Sequence, residues 1–184
     1  MNNEITNAVD VLKSGGIILY PTDTIWGIGC DACCDTAVKK VFEIKRRDHS
    51  KPLICLASSF EMVGEYVEVS NLKKLKSISE KSPTTFIFNN PIKISKYVSS
   101  NSYSIGFRVP NDNFCSELLN KFGRPIVSTS ANLSGFDIPL EFNLISSEIK
   151  SKVDYVVNYG KNKRSYLAST ILKIDEKGLI TKLR

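Results

Sequence analysis

A chain of 184 residues with 42% apolar side chains can bury roughly two thirds of the surface its unfolded form exposes, so a single domain with a real core is expected over residues 1–184. The formal charge of +6, from 25 Lys and Arg against 19 Asp and Glu, favours an anionic partner such as a nucleotide, RNA or an acidic protein face. No run of about eighteen apolar residues occurs, and residues 1–11 carry neither a basic nor an apolar targeting region; a soluble, cytoplasmic protein without a membrane segment is expected.

In chain order, Ala8, Val9, Val11 and Leu12 predict a short amphipathic helix ended by Ser14-Gly15-Gly16, followed by the β-type run Ile17-Ile18-Leu19-Tyr20. Pro21 breaks that run. Residues 21–29, rich in hydroxyls and glycine, read as a loop that approaches a ligand closely. Asp35 or Thr36 can cap a helix with Val38, Val41, Phe42 and Ile44 on its apolar face, ending near Lys45. Pro52-Leu53-Ile54-Cys55-Leu56-Ala57 reads as a buried strand, and 61–67 and 71–80 as helices.

Further strands are expected at 85–88, 104–109 and 126–129. Between the last two, Phe114, Leu118, Leu119 and Phe122 are spaced for a helix that Gly123 terminates. A weaker helix over 141–150 and β-type runs at 155–157, 167–174 and 179–183 complete the chain. Strands alternating with helices argue an α/β sheet, with an antiparallel portion where the C-terminal strands follow one another closely.

Five cysteines are an odd number in a chain too large to need disulfides, which fits reduced thiols. Cys30-Asp31-Ala32-Cys33 is a CxxC with no second pair of zinc-ligand spacing, so no protein metal ligand is assigned. The single histidine, His49, reads as a solvated loop residue.

Two tripeptides carry the chemistry. Lys45-Arg46-Arg47 and Ser130-Ala131-Asn132 each place polar groups at i and i+2, which share a direction only on extended backbone, so neither motif reads as helical. Two cations, a hydroxyl and an amide displayed in this way suit a polyphosphate nucleotide.

The motifs also stand in a familiar order. Tyr20-Pro21-Thr22-Asp23-Thr24 with Gly27 and Gly29, Lys45-Arg46-Arg47, Lys51-Pro52-Leu53-Ile54 and Pro83-Thr84-Thr85-Phe86 open the series. Gly106-Phe107-Arg108-Val109-Pro110, the run from Pro125 to Gly135 and Ala168-Ser169-Thr170 complete it. Across nearly the whole chain this resembles the YrdC-like domains, and within them the L-threonylcarbamoyladenylate synthases of tRNA modification.

The resemblance implies a twisted mixed β-sheet flanked by helices around a basic concave groove that holds ATP, L-threonine and bicarbonate. The implied products are threonylcarbamoyl-AMP and pyrophosphate, passed to a separate tRNA threonylcarbamoyl transferase. By the family pattern Lys45 and Arg47 hold the triphosphate and carry catalysis, helped by Lys51, Ser104, Ser130, Asn132 and Arg184. Thr24, Arg108, Ser128 and Ser169 match positions around threonine, with Arg108 the partner of its carboxylate.

Such a reaction needs no protein nucleophile, since ATP supplies the leaving group; positioning and charge neutralisation do the work. Mg²⁺ is expected with the triphosphate, held mostly by water and phosphate oxygens. Asp23, the acidic residue of the 21–29 segment, reads as a turn stabiliser, with base or metal contact as its other reading.

Three departures stand out. The tryptophan-proline-glycine-proline stretch of the family appears as Glu80-Lys81-Ser82-Pro83-Thr84, Cys55 stands where some relatives carry a histidine near threonine, and Arg184 ends the chain without the extra domain of longer relatives. The last feature implies the free-standing, single-domain type. The rival reading is an RNA-binding module that uses the same basic concavity without chemistry; weak RNA binding is its mark, and Lys161–Arg164 beside Tyr159 and Tyr166 is its candidate surface.

Overall fold

The computed structural model describes residues 1–99, 103–162, 169–175 and 179–183. Apolar positions at i, i+3, i+4 and i+7 make α1, Asn2–Lys13, which buries Ile5, Ala8, Val9 and Leu12. Strand β1, Ile18–Tyr20, then forms a hairpin with β2, Gly27–Asp31, in the register Tyr20 opposite Gly27. The expected loop over 21–29 therefore shrinks to 21–26. Two glycines give β2 little strand propensity, but partners on both sides supply the ladder that propensity does not.

Helix α2, Asp35–Lys45, starts from Cys34 with no side-chain cap, one residue before the expected capping position. After it come β3, Ile54–Leu56, and α3, Phe60–Gly64, which is capped by Ser59 and stops short of the expected 61–67. Helix α4, Leu72–Lys81, is capped by Asn71, and β4, Thr84–Asn89, follows. A one-turn helix that the sequence pattern did not suggest, α5, Lys96–Ser99, precedes β5, Ser104–Arg108.

Asp112 caps α6, Asn113–Phe122, and Gly123 ends it at φ +77°, a left-handed conformation that favours glycine. Strand β6, Ile126–Ser130, leads into a long loop. The helix expected over 141–150 divides into a 3-10 turn, Phe142–Leu144, and α7, Ser147–Lys152, because Ile145 is extended between them. Strands β7, Tyr155–Val156, β8, Thr170–Ile174, and β9, Ile180–Lys182, close the fold. Leu167 and Ala168 of the expected strand lie outside the described residues.

All nine strands of the described residues join one sheet in the order β7-β1-β2-β6-β3-β5-β4-β8-β9. It is mixed: β1 with β7, β3 with β5 and β4 with β8 run parallel, and the other neighbours run antiparallel. Among the described residues no helix is long and apolar enough to cross a membrane.

The two-residue period of the strands divides the side chains between two faces. On one face Leu19, Ile28, Cys55, Phe86, Phe107 and Val127 join the larger core, which includes Val38, Val41 and Phe42 of α2. On the other, Ile18, Tyr20, Leu56 and Ile126 pack under α1 and α6 in a second core with Leu12, Phe114 and Leu118. That helix pair covers only part of its face. The remainder is open, and it carries the site.

Candidate functional site

The uncovered part of this face is the floor of a cavity of about 310 Å³. Its polar floor comes from alternate strand positions, Ser104 and Arg108 on β5 and Ser128 and Ser130 on β6, with Ile54, Ile87 and Ile171 as apolar wall. Gly27 and Gly106 lie between them, and at Gly106 there is little room for a side chain. A Cβ on Gly106 would stand 3.0 Å from Ile54 Cγ2, 3.1 Å from Thr85 Cγ2 and 3.2 Å from Ile87 Cδ1. Cys55, one residue after Ile54, is fully buried on the opposite face, so it is no part of the cavity wall.

One end of the cavity is built on the hairpin loop 21–26. The Arg108 guanidinium, 3% exposed, donates to Thr24 Oγ1 at 2.7 Å and lies 3.2 Å from Asp23 Oδ1. The Thr22 hydroxyl gives its proton to the Ile25 carbonyl at 2.7 Å, so in its 3.0 Å contact with Thr24 it is the acceptor. Arg108, Thr24, Thr22 and Ile25 thus form one directed chain. Ser169 is held across the sheet by Thr85, 2.8 Å between hydroxyl oxygens. Burial pushes the Asp23 carboxyl up from its ordinary value, and the adjacent Arg108 opposes that shift.

The cationic motif is not an extended edge. Lys45 is the last residue of α2, and Arg46 follows in the left-handed region at φ +49°, ψ +42°. The Arg46 and Arg47 N–H groups donate back to Glu43 and Phe42, at 3.1 and 2.9 Å, which is a Schellman turn with arginine where glycine is usual. Helix geometry therefore displays Lys45, and the reversal after it displays Arg47. The turn is anchored outside by an Arg46–Glu148 ion pair of 2.6 Å.

Lys45, 2% exposed, buries its ammonium against the 130–136 loop. It donates to the carbonyl oxygen of Ser130, to that of Asn132 at 2.7 Å and to Asn132 Oδ1 at 3.4 Å. The loop returns a bond from Ser134 N to Lys45 O at 2.8 Å, closing the end of α2. Desolvation, with the Arg47 charge adding to it, pulls the Lys45 ammonium down to about 7. Arg47 opens into the cavity while donating to the Lys51 carbonyl at 3.3 Å and the Pro52 carbonyl at 2.9 Å. Burial lowers its pKa as well.

Of the residues singled out in the sequence, Thr24, Arg47, Ser104, Arg108, Ser128, Ser130 and Ser169 line this one cavity. Lys45 and Asn132 meet each other behind the lining at Ser130, and the exposed Lys51 touches Arg47 through its main chain. Arg184 lies outside the described residues, as do Lys163, Arg164 and Tyr166 of the aromatic-basic cluster. His49 is exposed and stacks on Phe42, ring centroids 4.6 Å apart. Sequence reasoning missed Thr22 and the apolar wall; polar or small residues at every second position from 104 to 108 were the available signal.

The chain as a whole is similar to known proteins. A threonylcarbamoyl-AMP synthase of Psychromonas ingrahamii is 33% identical over 153 residues, covering 81% of this chain and 80% of the relative. P. abyssi Sua5 complexed with L-threonine has the same fold, with a TM-score of 0.87 at 24% identity over 98% of this chain. This chain spans 53% of that protein. E. coli YciO gives a TM-score of 0.83 at 22% identity, covering 100% of this chain and 89% of its own. The Sua5/YciO/YrdC family profile, described as telomere recombination, matches residues 10–184, and this chain belongs to that family.

Proposed function

We propose that the protein is an L-threonylcarbamoyladenylate synthase, joining L-threonine, bicarbonate and ATP into threonylcarbamoyl-AMP with release of pyrophosphate and water. It acts as one domain over 1–184 in the cytoplasm and supplies a separate transferase that modifies tRNA adenosine. The observation that carries this reading is the convergence of two guanidinium groups and a row of hydroxyls on one cavity beside an apolar wall. The relative of that name and the threonine complex of P. abyssi Sua5 support it.

In this reading Arg47, with Ser104, Ser130 and the positive field of Lys45, receives the triphosphate. Lys51 joins them from the rim, Arg184 is assigned to the same group on the family pattern alone, and Asn132 holds Lys45 and the loop in place. Arg108, Thr24, Ser128 and Ser169 take the amino acid, with Arg108 on its carboxylate and Ile54 or Ile87 near its methyl group. Both ends bind charge that grows or moves during reaction, so preorganised donors are the catalytic device.

No residue of the cavity lining is acidic, and among the described residues no cluster of three or more His, Cys, Asp or Glu is placed to hold a metal. In this reading Mg²⁺ accompanies the nucleotide substrate, held mostly by phosphate oxygens and water.

The test is to incubate the purified protein with ATP, Mg²⁺, bicarbonate and labelled L-threonine. A threonine-dependent adenylate formed in step with pyrophosphate is expected. Folded protein that binds RNA but forms no adenylate overturns the reading in favour of the RNA-binding module.

A further inference from the structure

Asp23 is an odd residue to bury. Its side chain is 7% exposed and that of its partner Arg108 is 4% exposed. Neither carboxylate oxygen accepts a hydrogen bond, and Arg108 Nε donates none. The N–H groups of Asp23 and Asn111 favour the charged carboxylate from nearby, and Asp112 opposes it, without hydrogen-bond geometry being met. Apart from the bond from Arg108 to Thr24 the pair has little hydrogen-bond support, and a buried ion pair of this kind is weak evidence of stabilisation, because apolar residues of the same volume often do as well or better.

What the pair does have is a position. Arg108 opens into the cavity and Asp23 stands directly behind it, while no residue of the lining is acidic. Without Asp23 this end would carry a whole positive charge in a poorly screened place and would suit a ligand of net charge −1. Asp23 pairs the charge of Arg108, which still offers guanidinium N–H groups to a carboxylate. An α-amino acid is the ligand that matches, since its ammonium balances its own carboxylate.

We propose that Asp23 is a specificity-determining residue: by neutralising Arg108 it makes this end of the cavity accept a zwitterionic α-amino acid and reject the corresponding hydroxy acid anion. The inference rests on the reading that this end takes L-threonine. Asp23 acts through Arg108 and touches neither substrate.

The test is calorimetric titration with two probes, L-threonine and the hydroxy acid in which its α-ammonium is replaced by a hydroxyl. Wild-type protein is expected to prefer threonine by at least about tenfold, equivalent to about 1.4 kcal/mol. Asp23→Asn is expected to lose that preference, weakening threonine and strengthening the hydroxy acid. The double variant Asp23→Asn with Arg108→Gln is neutral again; it binds both probes more weakly and keeps the preference for threonine. Equal weakening of both probes by Asp23→Asn marks a purely structural role and overturns the proposal. If that variant does not fold, the double variant, which buries no lone charge, decides: absence of preference in it overturns the proposal. Wild-type protein that binds neither probe overturns the reading of this end itself, a failure separate from that of Asp23.

Discussion

The ammonium of Lys45 donates at 2.7 Å to the main-chain carbonyl of Asn132, 87 residues further along, and so fastens the end of α2 to the loop that follows β6. Its described partners are all uncharged oxygens, and desolvation holds its pKa at about 7. Binding of an anionic triphosphate beside it raises that pKa again.

Nucleotide binding at pH 8 should therefore take up protons. Free Lys45 is mostly neutral at that pH, and the bound anion favours its charged form. Calorimetric titration of ATP in two buffers of different ionisation enthalpy reads the uptake directly, and an uptake approaching one proton is expected. Lys45→Met should abolish it. Equal uptake in the wild type and the variant assigns the proton to another group.

The same group makes stability depend on pH. An unfolded lysine, at 10.5, binds a proton that the folded state has released, over the interval from about 7 to 10.5. Stability contributed by this group therefore rises with pH across that interval. Between pH 7 and pH 8 the gain is on the order of 1 kcal/mol. Above that, Cys30, Cys55 and Cys115 work in the opposite direction, since burial pushes each thiol well above 9.0 while the unfolded thiols ionise. Urea unfolding at pH 7 and 8 checks the sign, and Lys45→Met should remove this part of the slope.

Much of the sheet is legible in the sequence because β-branched and aromatic runs such as Ile17–Tyr20 and residues 85–88 alternate with helical patterns. Strand β2 is not, because Gly27 and Gly29 lack strand propensity and owe their pairing to β1 and β6. The gathering of Arg47, Arg108 and Ser130 on one cavity followed from family likeness, while the reason for it, that β5 and β6 present alternate residues to one uncovered face, needed the topology. The extended reading of Lys45 and Arg47 fails at Arg46. Nothing in local composition announces an arginine in the left-handed region, where a side chain costs roughly 1 kcal/mol more than glycine. The Asp23–Arg108 pair, 85 positions apart by numbering, is equally invisible to periodicity.

Gly106→Ala tests the cavity floor. The added methyl meets Ile54, Thr85 and Ile87 at 3.0 to 3.2 Å, closer than ordinary contact, so these side chains must shift. A stability loss of about 1–3 kcal/mol is expected from overpacking. The KM for L-threonine should rise by at least about tenfold, since the shifted wall is the one proposed to face its methyl group. The KM for ATP should change much less. Thermal melting and two-substrate kinetics read both effects, and an unchanged threonine KM removes Gly106 from that wall.

Arg47 separates charge from geometry at the other end. Its side chain is only half-buried and donates to two loop carbonyls, of Lys51 and Pro52, so Arg47→Ala should fold with a modest loss of stability. A charge-assisted hydrogen bond contributes roughly 1.5–3 kcal/mol, so ATP affinity should fall by about tenfold to a hundredfold. Arg47→Lys keeps the charge but not the planar fork, and it should recover only part of that loss. The salt dependence of ATP binding distinguishes the two: it should flatten in Arg47→Ala and persist in Arg47→Lys, because screening acts on charge and not on fork geometry. ATP isotherms for all three proteins at two salt concentrations measure this, and affinity left unchanged in Arg47→Ala would place the triphosphate elsewhere in the cavity.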